Sequence, residues 1–315
     1  MKRIFGILCC TIAFSACDDG DLIVDTINFD EVSTSTCTEN NLLFKLKDSE
    51  SLILDVPEDT FEDDVTETGE PITLNINSTN RVVYNFYDGQ VSSDNICDLI
   101  PPATPNINTQ WTAASGVIEI TTEAVKTADE DDGSTRITGY KNTIVFRNIT
   151  FAKGDGTTQF YDVFSFGDYL RTITPLELDF EQLLLQCDSG LIYEFNDSES
   201  LTLDIDPNLI KNEVTPLDQP RKGTIGLENN RLVYHTYENG IVTEDYFCQT
   251  TDPALPSVAQ EWLGRVGGEI EVTTTTSGNA FTHTIVLKNV TLEKGNSNFQ
   301  LGTSYKYGEL QTISN

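Results

Sequence analysis

Residues 81–111 read RVVYNFYDGQVSSDNICDLIPPATPNINTQW, and this stretch decides the fold because the chain contains it twice. Residues 231–262 read RLVYHTYENGIVTEDYFCQTTDPALPSVAQEW. Both stretches contain the pattern C-x4-P-A-x-P-x5-W, and they end at Trp111 and Trp262, the 2 tryptophans of the chain. Chance does not produce a shared pattern of this length. The sequence therefore predicts an internal duplication, in which each copy forms one unit of the same fold.

Four further blocks recur in the same order around these two stretches. The pairs are residues 29–31 with 180–182, 48–52 with 197–201, 143–150 with 284–291, and 167–174 with 308–314. We therefore expect a first β unit at residues 28–174 and a second at residues 175–315. A chain of 315 residues also fits two domains by length. Because no segment rich in glycine and serine separates the units, we expect them to touch.

Short apolar runs on either side of polar turns predict hairpins. Residues 42–46 and 52–56 flank a polar turn and predict one hairpin, and residues 72–76 and 81–87 predict another. β-branched and aromatic residues dominate these runs, and such residues fit half-buried strands.

The remaining runs extend the same pattern. Residues 117–122 and 269–273 alternate between apolar and polar positions, which is typical of strands. Residues 257–263 are the exception, because their composition predicts a short helix or turn with Ser257 as its N-cap. With about seven to nine short strands per unit, the sequence predicts an all-β protein of two antiparallel β-sandwiches or meander barrels and leaves the choice between them open.

Four of the cysteines fall two in each predicted unit. They are Cys37, Cys97, Cys187 and Cys248, and the members of each pair are 60 and 61 residues apart. In an exported protein, an even number at matched spacing predicts disulfides. Duplication copies bonds within a unit, so we expect Cys37–Cys97 and Cys187–Cys248. Loops of this length stabilise a fold by roughly 4 kcal/mol in the chain-entropy model.

Residues with catalytic or metal-binding chemistry form no complete constellation. The 2 histidines, His235 and His283, match Asn85 and Asn142 in the other unit, so a shared metal site or catalytic triad is not expected. No nucleophile elbow, P-loop or H-E-x-x-H motif is present. Residues 129–133 and 204–208 leave calcium open as a ligand, although neither segment fits the EF-hand spacing. No other cofactor is expected.

The N-terminus has the composition of an export signal. Lys2 and Arg3 precede an apolar run at residues 4–14, and small residues follow it before Cys17. This arrangement predicts a signal peptide at residues 1–16, since the run is shorter than the roughly 20 apolar residues that span a bilayer.

Residues 14–17, Phe-Ser-Ala-Cys, resemble a bacterial lipobox with Phe14 in place of the commoner leucine. The resemblance implies cleavage after Ala16, acylation of Cys17 and a tether at residues 17–27. The acidic run at residues 18–21 resembles the export signal of Bacteroidota-type lipoproteins, which implies an outer-membrane anchor facing the cell exterior. Taken whole, the chain resembles the two-repeat, β-rich lipoproteins of that group, a family of unknown function from which no functional residue is carried over.

Composition limits the function. With 50 acidic and 19 basic residues the net charge is −31, which disfavours nucleic acid as a partner. We expect a non-enzymatic binding or scaffold module that contacts the membrane through its lipid and an unknown protein or glycan outside the cell. Glycan capture by Tyr84, Tyr87, Tyr234 and Tyr237 is one alternative. A hydrolase with paired carboxylates is another, and it needs a cleft with two acids of which one is buried.

Overall fold

A computed structural model of the chain describes residues 26–251 and 253–313. The predicted signal peptide and Cys17 lie outside the described residues. Strands make up 53% of the described residues and helices 3%, which confirms the all-β class, and the sheets are open and antiparallel. Below, "first half" means residues 26–174 and "second half" residues 175–313. Two residues are called matching when they occupy the same place in the recurring blocks or in the strand register.

The strands of the first half, with one short helix, follow in chain order. They are β1 (Ser35–Thr36), β2 (Leu43–Lys47), β3 (Glu50–Asp55), β4 (Ile72–Asn75), β5 (Arg81–Tyr87), α1 (Asp94–Cys97), β6 (Ile107–Ala128), β7 (Thr135–Lys153) and β8 (Thr158–Thr172). A short 3-10 turn (Glu58–Thr60) lies between β3 and β4.

The strands of the second half are shorter and more numerous. They are β9 (Leu185–Gln186), β10 (Leu191–Phe195), β11 (Glu199–Asp204), β12 (Arg221–Thr224), β13 (Arg231–Glu238), β14 (Ser257–Gly264), β15 (Glu269–Ser277), β16 (Ala280–Lys288), β17 (Val290–Lys294), β18 (Ser297–Gly302) and β19 (Tyr305–Ile313). A 3-10 turn (Glu244–Tyr246) precedes Cys248.

Three open sheets result. The first half forms an eight-stranded sheet in the order β1-β2-β3-β5-β6-β7-β8, with β4 also paired to β6. The second half forms a seven-stranded sheet, β18-β17-β14-β13-β11-β10-β9, and a four-stranded sheet, β12-β15-β16-β19. Thus the long strands β6, β7 and β8 stay within one sheet. The corresponding strands of the second half, β14 to β19, are divided between two sheets.

The predicted hairpin of β2 and β3 is confirmed, with Leu43 opposite Leu54. The predicted hairpin of β4 and β5 is wrong, because β4 and β5 both pair with β6. The chain does not reverse at residues 77–80. It bends there and continues along β6, opposite the bulges of β6 near Gly116, whose φ is 136°. The polar turn composition marks this bend, and the long partner strand decides the pairing.

The predicted helix or turn at residues 257–263 is also wrong, because these residues form β14. Tyr234 of β13 pairs with Trp262, and β14 pairs with β17 on its other side. Ser257 does not cap a helix, since its hydroxyl donates to the backbone carbonyl of Glu238. Pairing with β13 along most of β14, and with β17 at Leu263 and Gly264, overrides the helix preference of alanine, glutamine and glutamate.

Two main cores follow from the alternation of the strands. The core of the first half contains Leu52, Ile118 and Phe146, each 0% exposed. The core of the second half draws on both of its sheets and also includes Ile137 and Tyr140 of β7. The first half therefore contributes side chains to the core of the second, and truncating one such large side chain costs about 2–5 kcal/mol.

The structure forms both disulfides that the sequence predicts. Cys37 bonds to Cys97 and Cys187 bonds to Cys248, with Cα–Cα distances of 5.4 and 5.2 Å. Each bond ties the segment before the first hairpin to the segment between β5 and β6 or between β13 and β14.

Candidate functional site

A cleft of about 680 Å³ opens on the second half beside the Cys187–Cys248 disulfide. Its floor is the outer face of β10, β11 and β13, the face opposite the core. Its wall is the 3-10 turn Glu244–Tyr246 and the residues that follow it. A cleft of this volume falls in the range of small-ligand sites.

Strand register places the floor residues in rows across the sheet. Tyr193 pairs with Thr202, and Thr202 with Val233, to form the central row. Because successive residues of a strand point to opposite faces, Ile192 and Leu203 lie beneath this row in the core. Arg231 lies at one end of the floor and is exposed.

Aromatic rings line the wall. Tyr193 stacks on Phe247 with 4.4 Å between ring centroids, and Tyr237 contacts Tyr246 edge-on at 5.0 Å. Tyr193, Tyr237 and Phe247 are buried, whereas the ring of Tyr246 is half-buried at the rim. Burial and the carboxylate of Glu244 raise the pKa of Tyr193, which keeps its hydroxyl protonated at neutral pH. The floor and the wall together therefore offer aromatic rings and a hydroxyl that donates hydrogen bonds.

A polar network borders the floor. The Nε2 of His235 lies 2.9 Å from the Glu261 carboxylate, and the His235 Nδ1 lies 3.5 Å from the Tyr237 hydroxyl. That hydroxyl lies 2.9 Å from the hydroxyl of buried Ser200. Four side chains are thus linked from the buried floor to the solvent.

The first half contains a similar network without the histidine and the carboxylate. Gln110 donates to the Asn85 carbonyl oxygen at 2.9 Å, in the register position that His235 and Glu261 occupy in the second half. Asn85 in turn contacts Ser51 and Tyr87. Since Ser51 and Tyr87 match Ser200 and Tyr237, this shared part of the network is structural. The histidine and the glutamate distinguish the second half.

The sequence reasoning missed most of the cleft. Tyr246 and Phe247 line it, and the matching residues of the first half are Asn95 and Ile96. Aligning the two recurring stretches position by position shows this difference, because an amide and an aliphatic residue in the first stand where the second has two aromatics. Tyr193 was hidden in a short apolar run.

The tyrosines and tryptophans singled out from the sequence are buried. Tyr84 and Tyr234 lie in the two main cores beside Trp111 and Trp262, so they form no exposed platform. Of the predicted tyrosines, Tyr237 lines the cleft.

His283 is a buried histidine with hydrogen-bond partners on both ring nitrogens. Thr274 contacts its Nδ1 at 2.9 Å and Thr312 its Nε2 at 3.0 Å. Burial and nearby Arg221 lower the pKa of His283, which keeps the ring neutral. The buried ring therefore provides hydrogen-bond partners for these hydroxyls.

The acidic loops bond their own backbone. Asp129 accepts from the Asp131 N–H at 2.8 Å, and Asp206 accepts from the Asn208 N–H at 2.9 Å. Among residues 26–251 and 253–313, no group of three or more His, Cys, Asp or Glu side chains is arranged to hold a metal ion.

One carboxyl group is buried outside the cleft. Glu194 of β10 is 3% exposed, and neither of its oxygens has a hydrogen-bond partner. Burial raises the pKa of Glu194 to about 8, and the backbone N–H of Gln182 partly offsets this rise. Its side chain points to the core face of the sheet, since Glu194 pairs with the buried Leu201. It therefore does not face the cleft.

No protein-family model matches this chain, and no similar protein is found among curated proteins or solved structures. In the part of the chain that the structure describes, none of the helices has the length and apolar character needed to cross a bilayer.

Proposed function

We propose that this chain is an outer-membrane lipoprotein, anchored through Cys17 and facing the cell exterior, that binds a ligand without chemical conversion. The cleft beside Cys187–Cys248 is the observation that carries the proposal. It combines an aromatic wall, a polar floor and a volume of about 680 Å³, which are the properties of a site for a small ligand. The export signal and lipobox support the location, and the net charge of −31 favours an uncharged or cationic ligand.

We further propose that the two halves are duplicated domains, each a β-sandwich, of which the second has acquired the cleft. Several matching positions support a common origin. Asn148 and Asn289 both have φ of 51°, and each half has one disulfide, Cys37–Cys97 and Cys187–Cys248, at matching places.

The arrangement of acids supports a role without catalysis. Asp188 and Glu244 line the cleft, and both are exposed. Glu194, whose pKa is raised, lies on the opposite face of the sheet. A two-carboxylate mechanism needs a buried acid and an ionised partner in one cleft. The described residues of this cleft do not provide that pair.

The glycan alternative is favoured by one feature, the half-buried ring of Tyr246 next to the polar floor. A sugar ring presents an apolar face to an aromatic ring and hydroxyls to groups such as Arg231 and Thr202. Glycans are therefore the first ligands to test.

Binding is tested with the chain starting at residue 17, titrated with short neutral oligosaccharides, free amino acids and short peptides. Binding is followed by calorimetry. We expect saturable binding that Tyr246→Ala and Arg231→Ala each weaken about tenfold, an effect of about 1.4 kcal/mol. The matched controls are Asn95→Ala and Arg81→Ala in the first half, which should leave affinity unchanged. Equal losses in both halves, or no ligand whose binding depends on Tyr246, would contradict the proposal.

The anchor is tested separately in cells. Metabolic labelling with an alkyne fatty acid should label the wild-type protein and not Cys17→Ala, and external protease should digest the wild-type protein on intact cells. Recovery of an unacylated protein from the periplasm would overturn the location and leave the cleft untouched.

A further inference from the structure

Strand β8 ends the eight-stranded sheet and has β7 as its strand partner. It is 15 residues long, and three of its apolar side chains are largely exposed, Phe160 at 56%, Val163 at 53% and Leu170 at 53%. A long edge strand with exposed apolar residues is normally shortened, charged or covered, because its free backbone groups pair with other strands. This edge therefore needs an explanation.

The matching edge in the second half is covered by the chain itself. β19 ends the four-stranded sheet, and the backbone of residues 182–184 lies parallel to it at Glu309. The Glu309 N–H donates to the Gln182 carbonyl at 2.9 Å, and the Leu184 N–H donates to the Glu309 carbonyl at 3.1 Å. Leu184 is 4% exposed and anchors this segment in the core.

The same segment stands away from β8 in the first half. Glu31 and Gln182 are matching residues, both with left-handed backbone, at φ of 63° and 59°. Two residues later the second half has buried Leu184, whereas the first half has exposed Ser33. Val32 packs against the core of the first half, but Ser33 has no apolar side chain that could anchor the segment on the edge as Leu184 does. A cleft of about 590 Å³ remains between residues 31–36 and β8 at Asp168, Tyr169 and Leu170.

We propose that this cleft and the edge of β8 bind an extended strand of a partner protein, which adds to the sheet as residues 182–184 add to β19. Backbone hydrogen bonds supply such binding, and alternate side chains give it specificity. We expect apolar residues on one face of the added strand, because they would cover the exposed side chains of Phe160, Val163 and Leu170. Asp162, Asp168 and Glu31 are exposed along the site, so the partner strand also has lysine or arginine residues.

A second copy of this chain is a poor occupant. In an antiparallel pairing of two β8 strands centred on Ser165, Asp162 of one copy faces Asp168 of the other. Like charges opposite each other destabilise a strand pair, and each copy also has a net charge of −31.

The test uses the chain starting at residue 17 and two fluorescein-labelled peptides of equal charge. The strand peptide alternates lysine and valine, and the control peptide has proline in place of two central valines, which prevents strand pairing. Fluorescence anisotropy at physiological salt should show saturable binding of the strand peptide, at least tenfold tighter than the control peptide. Hydrogen exchange should slow in residues 158–172 when the strand peptide is bound.

Variants of the edge locate the binding. Val163→Lys should weaken the strand peptide at least tenfold, and Ser33→Leu should do the same by letting the chain's own segment close the cleft. Leu217→Lys is the control for charge, because Leu217 is 88% exposed in the second half, and it should have little effect.

Four results would overturn the proposal. They are no binding of the strand peptide, equal binding of the proline peptide, an equal loss in Leu217→Lys, and self-association of the wild-type chain that Val163→Lys abolishes. The last result would identify a second copy as the occupant. None of these results bears on the cleft beside Cys187–Cys248.

Discussion

The two halves place a basic and an acidic residue at matching points of their sheets. Lys45 pairs with Leu52 in the first half, and Glu194 pairs with Leu201 in the second. The ammonium of Lys45 lies against Gly167, where an added Cβ would approach Nζ to 2.7 Å. At the matching Gly308, an added Cβ would instead lie 2.6 Å from the Gln182 carbonyl oxygen. The space beside Gly167 is thus filled by the Lys45 side chain, and the space beside Gly308 is filled by the backbone at Gln182.

In the second half, the backbone that covers the edge of β19 also affects the ionisation of Glu194. The segment that covers the edge of β19 lies next to Glu194, with the Gln182 N–H directed toward the carboxyl group. Covering the edge excludes water from Glu194 and makes its ionised form unfavourable. In the first half, burial lowers the pKa of the matching Lys45, and the carboxylates of Asp30 and Asp168 oppose this shift. The stability of the second half should therefore fall as pH rises through the range in which Glu194 ionises.

The largest expected effect is the pH dependence that Glu194 introduces. Its pKa is about 8 in the folded protein against an ordinary value of 4.5, so unfolding releases a proton between these values. The free energy of unfolding should therefore fall as pH rises from 4.5 to 8, by roughly 1.4 kcal/mol per unit and by at most about 5 kcal/mol in total. Outside this window the contribution of Glu194 is constant. Denaturation at fixed ionic strength from pH 5 to 8 measures the slope.

Glu194→Gln should flatten this slope and make the protein more stable than wild type at pH 8. Asp88→Asn is the control in the first half. Hydrogen bonds from Asn106 hold the pKa of Asp88 below 3.8, so this change should leave the slope between pH 5 and 8 intact. An unchanged slope in Glu194→Gln would show that other groups produce it, and the coupling between edge cover and pH would fail.

Loss of either disulfide should affect stability equally but ligand binding differently. Replacing both cysteines of either pair by alanine should lower the free energy of unfolding by up to about 4 kcal/mol, because the loops of 60 and 61 residues are nearly equal. Only the loss of Cys187–Cys248 should also weaken ligand binding, since both of its cysteines line the cleft. Denaturation and calorimetry on the two double variants separate these effects. Equal loss of binding in both would remove the functional difference between the halves.

Features that local alternation or the recurring blocks determine could be predicted from the sequence, whereas pairings with distant strands could not. The disulfides and the hairpin of β2 and β3 were predictable, because matched spacing and local alternation determine them. The pairing of β4 was not, since β4 and β5 share a 22-residue partner, β6, whose length no local pattern reveals. The strand at Ser257–Gly264 was missed because two neighbouring strands outweigh its local preference.

The cleft was harder to predict for a related reason. Its residues come from β10, β13 and the turn before Cys248, which are far apart in the chain. Side chains alternate between the two faces of a strand, and this alternation correctly places Tyr234 in the core and Tyr237 on the outer face. This alternation does not show that Phe247, which follows the 3-10 turn, stacks on Tyr193 of β10. A comparison of Tyr246 with the matching Asn95 was the strongest available signal.

The turn between β17 and β18 provides a third comparison. Asp64 of the first half accepts from the Ser297 N–H at 3.0 Å and from its hydroxyl at 2.8 Å. The matching turn between β7 and β8 is capped by its own Asp155, which accepts from the Thr157 N–H at 2.9 Å. Asp64→Ala should cost about 2–3 kcal/mol, because it leaves the buried polar groups of Ser297 without a charged acceptor.

The control is Asp155→Ala, which should have a smaller effect because its turn is exposed. Thermal and chemical denaturation measure both variants. Since Asp64 joins the halves, its loss should also broaden the unfolding transition. A smaller effect from Asp64→Ala than from Asp155→Ala would mean that the halves are not coupled through this turn.

The smallest expected difference concerns the lysines over the two tryptophans. Lys153 Nζ lies 4.0 Å from the centre of the Trp111 ring, and Lys294 Nζ lies 5.2 Å from that of Trp262. Cation–π attraction weakens with distance, and burial lowers the pKa of Lys294, which further disfavours its charged form. Lys153→Met should therefore cost about 0.5–1 kcal/mol and Lys294→Met less, as measured by denaturation followed by tryptophan fluorescence. Methionine keeps the apolar stem over the ring, so the difference isolates the charge. A larger loss in Lys294→Met would mean that Lys294 acts through its neighbour Asp64, and the matching tryptophans would then be held by different forces.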